Sequence, residues 1–126
     1  MDALWIAAGA VVGANLRYYV GQWVAAWLGV GFPYGTLLVN LSGSFLIGVI
    51  ATIFTERLLV DSHWRLLLVV GLIGGYTTFS SYALETISLI QSDRWLTALT
   101  YVLGSTLLSL GACALGIVAV RASIGG

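Results

Sequence analysis

Charge is what this chain has least of. Acidic and basic side chains make up 8% of its 126 residues, against about 25% in ordinary soluble domains. A water-facing surface cannot be assembled from so few charges, so the solvent matched to this chain is lipid. Lysine is absent. The five basic residues are Arg17, Arg57, Arg65, Arg94 and Arg121, and the five acids are Asp2, Glu56, Asp61, Glu85 and Asp93. They sum to zero and form no run, which leaves nothing to attract a nucleic acid or an anionic membrane surface. A single cysteine, Cys113, excludes a disulfide or thiol-metal framework within one chain. In its apolar stretch it reads as a small buried hydrophobe. The only histidine, His63, stands near a loop with no catalytic constellation around it, so an enzyme is not expected. The start of the chain offers Asp2 where a signal peptide would carry positive charge, so the first apolar segment is expected to stay as a membrane span.

What fills the chain is apolar: 60% of residues are hydrophobic and the mean hydropathy is +1.01. Four apolar segments alternate with short polar breaks, at about residues 4–28, 33–54, 64–90 and 95–120. Each has the roughly 20 residues needed to cross a hydrocarbon core of about 30 Å. Gly29, Gly31 and Pro33 make the first break, with Pro33 suited to the opening turn of the next helix. Trp5, Trp23, Trp27, Trp64 and Trp95 fall near segment ends, where amphipathic rings meet the headgroups. The expectation is an all-α membrane protein, residues 1–126 forming one transmembrane domain of four helices. Arginine is only weakly biased between the two sides. Counting basic residues therefore sets orientation poorly, and insertion in both directions is permitted.

Within lipid, helices associate through close packing and interhelical hydrogen bonds, so small and polar residues at four-residue spacing carry the information. Segment one has Gly9, Gly13, Arg17 and Gly21 in register. Arg17 lies deep enough to need partners. It either snorkels to the interface or serves as a fixed positive charge in an anion vestibule. Segment two has Thr36, Asn40, Ser44, Gly48 and Thr52 on one face. Asn40 either locks two helices together or offers its amide donor to an anion. Segment four has Thr97, Tyr101, Ser105, Ser109 and Cys113, a ladder that either lines a pathway or bonds back to its own carbonyls. Segment three carries Gly74 and Gly75 before Thr77 and Thr78, a poor helix interior. A break near 74–78 is expected, with freed carbonyls at mid-membrane beside a cavity or another chain. Phe79 and Tyr82 follow it, with ring edges that attract an anion weakly. Glu85, an acid inside a span, is read as structural or gating.

Three stretches together resemble one family: Gly13 to Tyr18 (GANLRY), Gly35 to Asn40 (GTLLVN) followed by Gly43, Phe45 and Gly48, and Gly71 to Ser80 (GLIGGYTTFS). The chain is similar, over essentially its whole length, to the bacterial fluoride-specific ion channels. That resemblance implies an antiparallel, dual-topology homodimer in the bacterial plasma or inner membrane. It implies two fluoride pores at the subunit interface and a structural sodium ion on the two-fold axis. Carried over by motif, the sodium is held by the backbone carbonyls of Gly74 and Thr77. The anion pathway takes Asn40, Phe79, Tyr82, Ser81, Tyr101, Ser105 and Ser109. Arg17, Thr36 and Glu85 support it or its vestibule. Ser81 stands where the family often has threonine, and Tyr82 where it commonly has phenylalanine, adding a phenolic hydroxyl to the ring edge. Two other functions fit a four-span chain. A proton-coupled small multidrug-type exporter needs an ionisable acid, usually in the first span, where this chain has Arg17. A non-transporting membrane subunit would show no flux of its own.

Overall fold

The computed structural model describes residues 1–57 and 61–124, and among them there is no β-strand. Helix α1, Asp2–Leu28, stops at Gly29, whose φ of 84° suits a residue without Cβ and whose amide bonds back to the Ala25 carbonyl at 2.8 Å. Helix α2 is Tyr34–Thr52 and continues as a wide π-helical turn, π1, Ile53–Arg57. Pro33 stands one position outside α2, not in its first turn, and accepts the Leu37 amide at 3.2 Å. The polar break expected after segment two includes residues 58–60, which lie outside the described residues. Asp61 then caps the short α3, Ser62–Arg65, by accepting the His63 amide at 3.0 Å. That hydrogen bond, aided by the nearby imidazole, holds the Asp61 carboxyl below the usual carboxylate range.

Helix α3 runs directly into a second π-helical segment, π2, Leu66–Ile73, and then into one α-turn, α4, Gly74–Tyr76. At Thr77 and Thr78 the backbone is extended (ψ 158° at Thr77; φ −149°, ψ 120° at Thr78) before α5, Phe79–Gln91, begins. Asp93 turns the chain with a φ of 59°, and α6, Trp95–Ile124, extends past the end expected near residue 120.

Two helix pairs dominate the packing: α2 with α6, and α1 with π2 and α4. Both are built on glycine. A Cβ on Gly9 would run into the Leu67 carbonyl, one on Gly13 into the Leu72 carbonyl, and one on Gly71 would stand 2.5 Å from the Ile6 carbonyl. The pairing is reciprocal, so the two backbones touch. At the other pair, Gly48 lies against the Cys113 carbonyl and Gly116 against the Phe45 carbonyl. Because lipid offers no hydrophobic drive between helices, such close approach is a main source of their association.

Among the described residues, three stretches are long and apolar enough to cross a membrane: Tyr34–Glu56, Ser62–Gln91 and Trp95–Ser123. Helix α1, at 27 residues, has the length of about 40 Å, but Asn15, Arg17 and its tyrosines make it less apolar. Large apolar side chains cover the outside, among them Leu107 at 65% and Leu115 at 61% exposed. This inverts a soluble protein and suits a hydrocarbon solvent. At one end, Trp5 of α1 stacks on His63 of α3, ring centroids 5.0 Å apart. Arg121 of α6 forms a two-pronged ion pair with Glu56 of π1, the shortest contact 2.7 Å.

Candidate functional site

The site starts from the extended pair Thr77–Thr78. In an unbroken helix the Thr78 amide would reach the Gly74 carbonyl, and the Ser81 amide the Thr77 carbonyl. Here the Thr78 amide donates to Asn40 Oδ1 at 2.7 Å, and the Ser81 amide to Thr78 Oγ1 at 3.2 Å. The carbonyls of Gly74 and Thr77 have thus lost their helical donors to side chains. Asn40 Nδ2 completes a two-point clasp by donating to the Thr78 carbonyl at 2.9 Å. The asparagine imitates a backbone strand for one residue. Arg17 does not simply snorkel: its Nε donates to the Gly75 carbonyl at 3.3 Å. Ser42 and Tyr76 share a hydrogen bond of 2.9 Å that holds α4 to α2. A Cβ on Gly43 would strike the Thr77 methyl group, so that glycine lets the break seat against α2.

Below the break lies an open cleft of about 380 Å³ between α2, α5 and α6. Asn40, Phe79, Tyr82, Ser105 and Ser109 line it, together with Gly74 and Thr77. No lining residue carries a charge. Phe79 is 78% exposed in the single chain, and its ring centre stands 5.4 Å from that of Tyr82.

The remaining expected residues lie elsewhere. Thr36, Ser81 and Glu85 line a second cleft of about 640 Å³ at the α1–α2 turn, near Arg94. Tyr101 lies between the two groups. It is fully buried, tilts against the Tyr82 ring at 5.3 Å, meets Phe32 edge-on at 5.5 Å, and donates its hydroxyl to Glu85 Oε1 at 3.1 Å. Glu85 therefore pairs with the aromatic that backs the first cleft. Arg17 lines neither cleft.

Hydroxyl groups divide by location. Ser42, Thr52, Thr55, Thr77, Thr86, Thr100 and Ser123 each donate to the carbonyl four residues back. Ser44, Ser105, Thr106 and Ser109, in the smaller cleft, make no hydrogen bond among the described residues. Ser105 Oγ is buried with no partner. The hydroxyls of Ser81, Ser88 and Ser92, in the larger cleft, are equally uncommitted. Four of these lining residues are not among those singled out from sequence: Thr106, Gln22, Ser88 and Ser92. Ser81, Glu85, Ser88 and Ser92 do fall at helical spacing on one face, so their signal was present. Thr106 sits one residue off the Ser105–Ser109 register and gives none.

A family model described as CrcB-like protein, Camphor Resistance (CrcB), matches residues 4–117. A protein of Magnetococcus marinus named fluoride-specific ion channel FluC is 46% identical over 121 residues, covering 96% of this chain and 98% of its own. Proteins of the same name from a Roseiflexus species and from Chloroflexus aurantiacus are 48% and 46% identical over 116 residues, covering 92% of this chain and 94% and 92% of their own. These relatives are named as ion channels, not as enzymes. Their kinship and the three apolar helices make this a multi-pass protein of the bacterial cell membrane. Over nearly all of its length, the chain belongs to the CrcB-like family.

Proposed function

We propose that this chain is a passive, fluoride-selective channel working as an antiparallel pair of inverted copies. In this reading residues 1–126 form one domain and α1 is a fourth span. The observation that carries it is the smaller cleft, which holds no charged side chain and presents the uncommitted hydroxyls of Ser105 and Ser109. Fluoride holds its hydration shell strongly, so the barrier to crossing lipid is loss of water. A fixed cation in the pore would trap it, whereas conduction needs several weak sites. The hydroxyls of Ser105 and Ser109, the second proton of the Asn40 amide and the edges of Phe79 and Tyr82 supply such sites. From them the ion passes along Tyr101, whose hydroxyl Glu85 positions, to Ser81 and Thr36 in the larger cleft. An inside-negative potential of 100 mV is worth about 2.3 kcal/mol per charge, which drives a passively conducted anion out of the cell.

The single chain leaves the ring of Phe79 and one side of the cleft open, which supports a second copy as the missing wall. The diverted amides support a sodium ion at the centre. The carbonyls of Gly74 and Thr77 are hard, uncharged oxygen ligands free of helical donors, and those of an inverted partner would complete the set. When bound, the cation neutralises the converging carbonyl dipoles. Arg17 neutralises Gly75 in the same way.

The test is release of fluoride from liposomes with equal pH on both sides. Fluoride is expected to leave quickly while chloride stays. Equal rates for the two ions would defeat the selectivity claim, and dependence on an imposed proton gradient would favour a coupled carrier. Phe79→Ile is expected to slow release by at least about tenfold, the equivalent of 1.4 kcal/mol of barrier, without loss of the dimer on size exclusion. Replacing sodium by a large organic cation is expected to lower flux and to weaken the dimer. No change in either quantity would remove the ion from the scheme.

A further inference from the structure

We infer that Ser44 and Thr106 are anion ligands of the smaller cleft, completing with Ser105 and Ser109 a four-hydroxyl clip that holds one small, hard monovalent anion. The inference rests on the channel reading above and names two ligands that it does not include. The argument begins with commitment. A hydroxyl inside an apolar helix ordinarily satisfies itself on the carbonyl one turn back, and seven among the described residues do so. Ser44 and Thr106 do not, although both sit within long helices that present such carbonyls. Both line the same cleft. Into that cleft Ser105 also points an unpartnered hydroxyl, on a residue only 8% exposed. An unmatched donor at that burial costs free energy unless something accepts from it.

The positions are complementary. On α6, Ser105 and Ser109 are one turn apart, and Thr106 lies three residues before Ser109, so the three make a triangle on one face. On α2, Ser44 is one turn beyond Asn40, whose amide already clasps Thr78. Two helices thus present hydroxyls to one space, roofed by Phe79 and Tyr82 and free of charged side chains. Four O–H donors replace the hydration shell of a monovalent anion of fluoride size. They offer no positive charge to retain it.

The experiment compares fluoride release from liposomes carrying the wild-type protein, Ser44→Ala, Ser44→Thr, Thr106→Val and Thr106→Ser, each checked for dimer elution. Thr106→Val keeps the shape and removes only the donor. Ser44→Ala and Thr106→Val are expected to lower release by about tenfold or more, Ser44→Thr and Thr106→Ser to stay within about threefold of wild type, and the double variant to fall further. Wild-type release from Ser44→Ala and Thr106→Val, beside a conducting wild-type protein, overturns this inference and leaves the channel reading intact. Equal losses from the hydroxyl-preserving and the hydroxyl-removing variants also overturn it, because packing would then be the cause. A wild-type protein that releases no fluoride defeats the channel reading first, and this inference with it.

Discussion

Asn40→Ala is expected to abolish most fluoride release and to let the chain around Thr78 resume the helix. The side chain makes two bonds to one residue, 2.7 Å from the Thr78 amide and 2.9 Å to its carbonyl. Truncation leaves both backbone groups without partners at a depth where water is scarce. Each costs about 1–3 kcal/mol when buried unpaired. The cheapest relief is for Thr78 to return its amide to the Gly74 carbonyl and resume the helix. That would close the break, turn Phe79 and Tyr82 away from the cleft and remove the carbonyls proposed for sodium. A fall of at least about a hundredfold follows if the barrier rises by roughly 2.7 kcal/mol. Fluoride electrode traces measure the flux, and backbone chemical shifts of residues 74–78 report the resumed helix. Wild-type release from this variant would show that the clasp matters to neither the break nor the pathway.

Gly13→Leu is expected to prevent assembly altogether. A Cβ there collides with the Leu72 carbonyl and stands 2.9 Å from the Tyr76 amide nitrogen. Both obstacles are backbone, which cannot swing aside as a side chain can. Helix α1 must then move off π2 and α4. The cost exceeds the ordinary overpacking range of about 1–3 kcal/mol, since the Arg17 bond to Gly75 and the Gly9 and Gly71 contacts lie on the same seam. Gly21→Ala is the matched control, because a Cβ there meets nothing within 4 Å. The expected result is a monodisperse elution profile for the control and aggregation for Gly13→Leu. A normal profile for Gly13→Leu would mean that the seam is looser than its geometry.

These two residues also mark what the sequence makes readable. Asn40 and the Gly9–Gly13 pair announce themselves because a polar amide and paired glycines in lipid-facing helices require partners. Which of the two roles open to Asn40 holds is a matter of tertiary position: only the fold brings Thr78 opposite it. The π-helical segment Leu66–Ile73 has no such signal. Its residues are apolar and of mixed helix propensity, and nothing in their order marks the wider turn. The hydroxyl groups teach the same lesson. Ser42 and Ser44 are the same residue type two positions apart, yet one bonds back to Leu38 and the other faces a cleft. Rotamer and neighbour decide between them, and periodicity cannot. Tyr101 and Glu85 are each conspicuous in sequence, but their pairing crosses from α5 to α6.

The α2–α6 seam has a consequence in time. Gly48 and Gly116 lie where the backbones of these helices touch, and α6 is made well after α2. Until it emerges, the face of α2 bearing Ser44 and Gly48 has no mate. The helices made before it reside in the bilayer as an unfinished set, and α6 supplies the missing partner of α2. A nascent chain released early exposes an unmatched polar face, the kind of lesion a membrane protease can recognise.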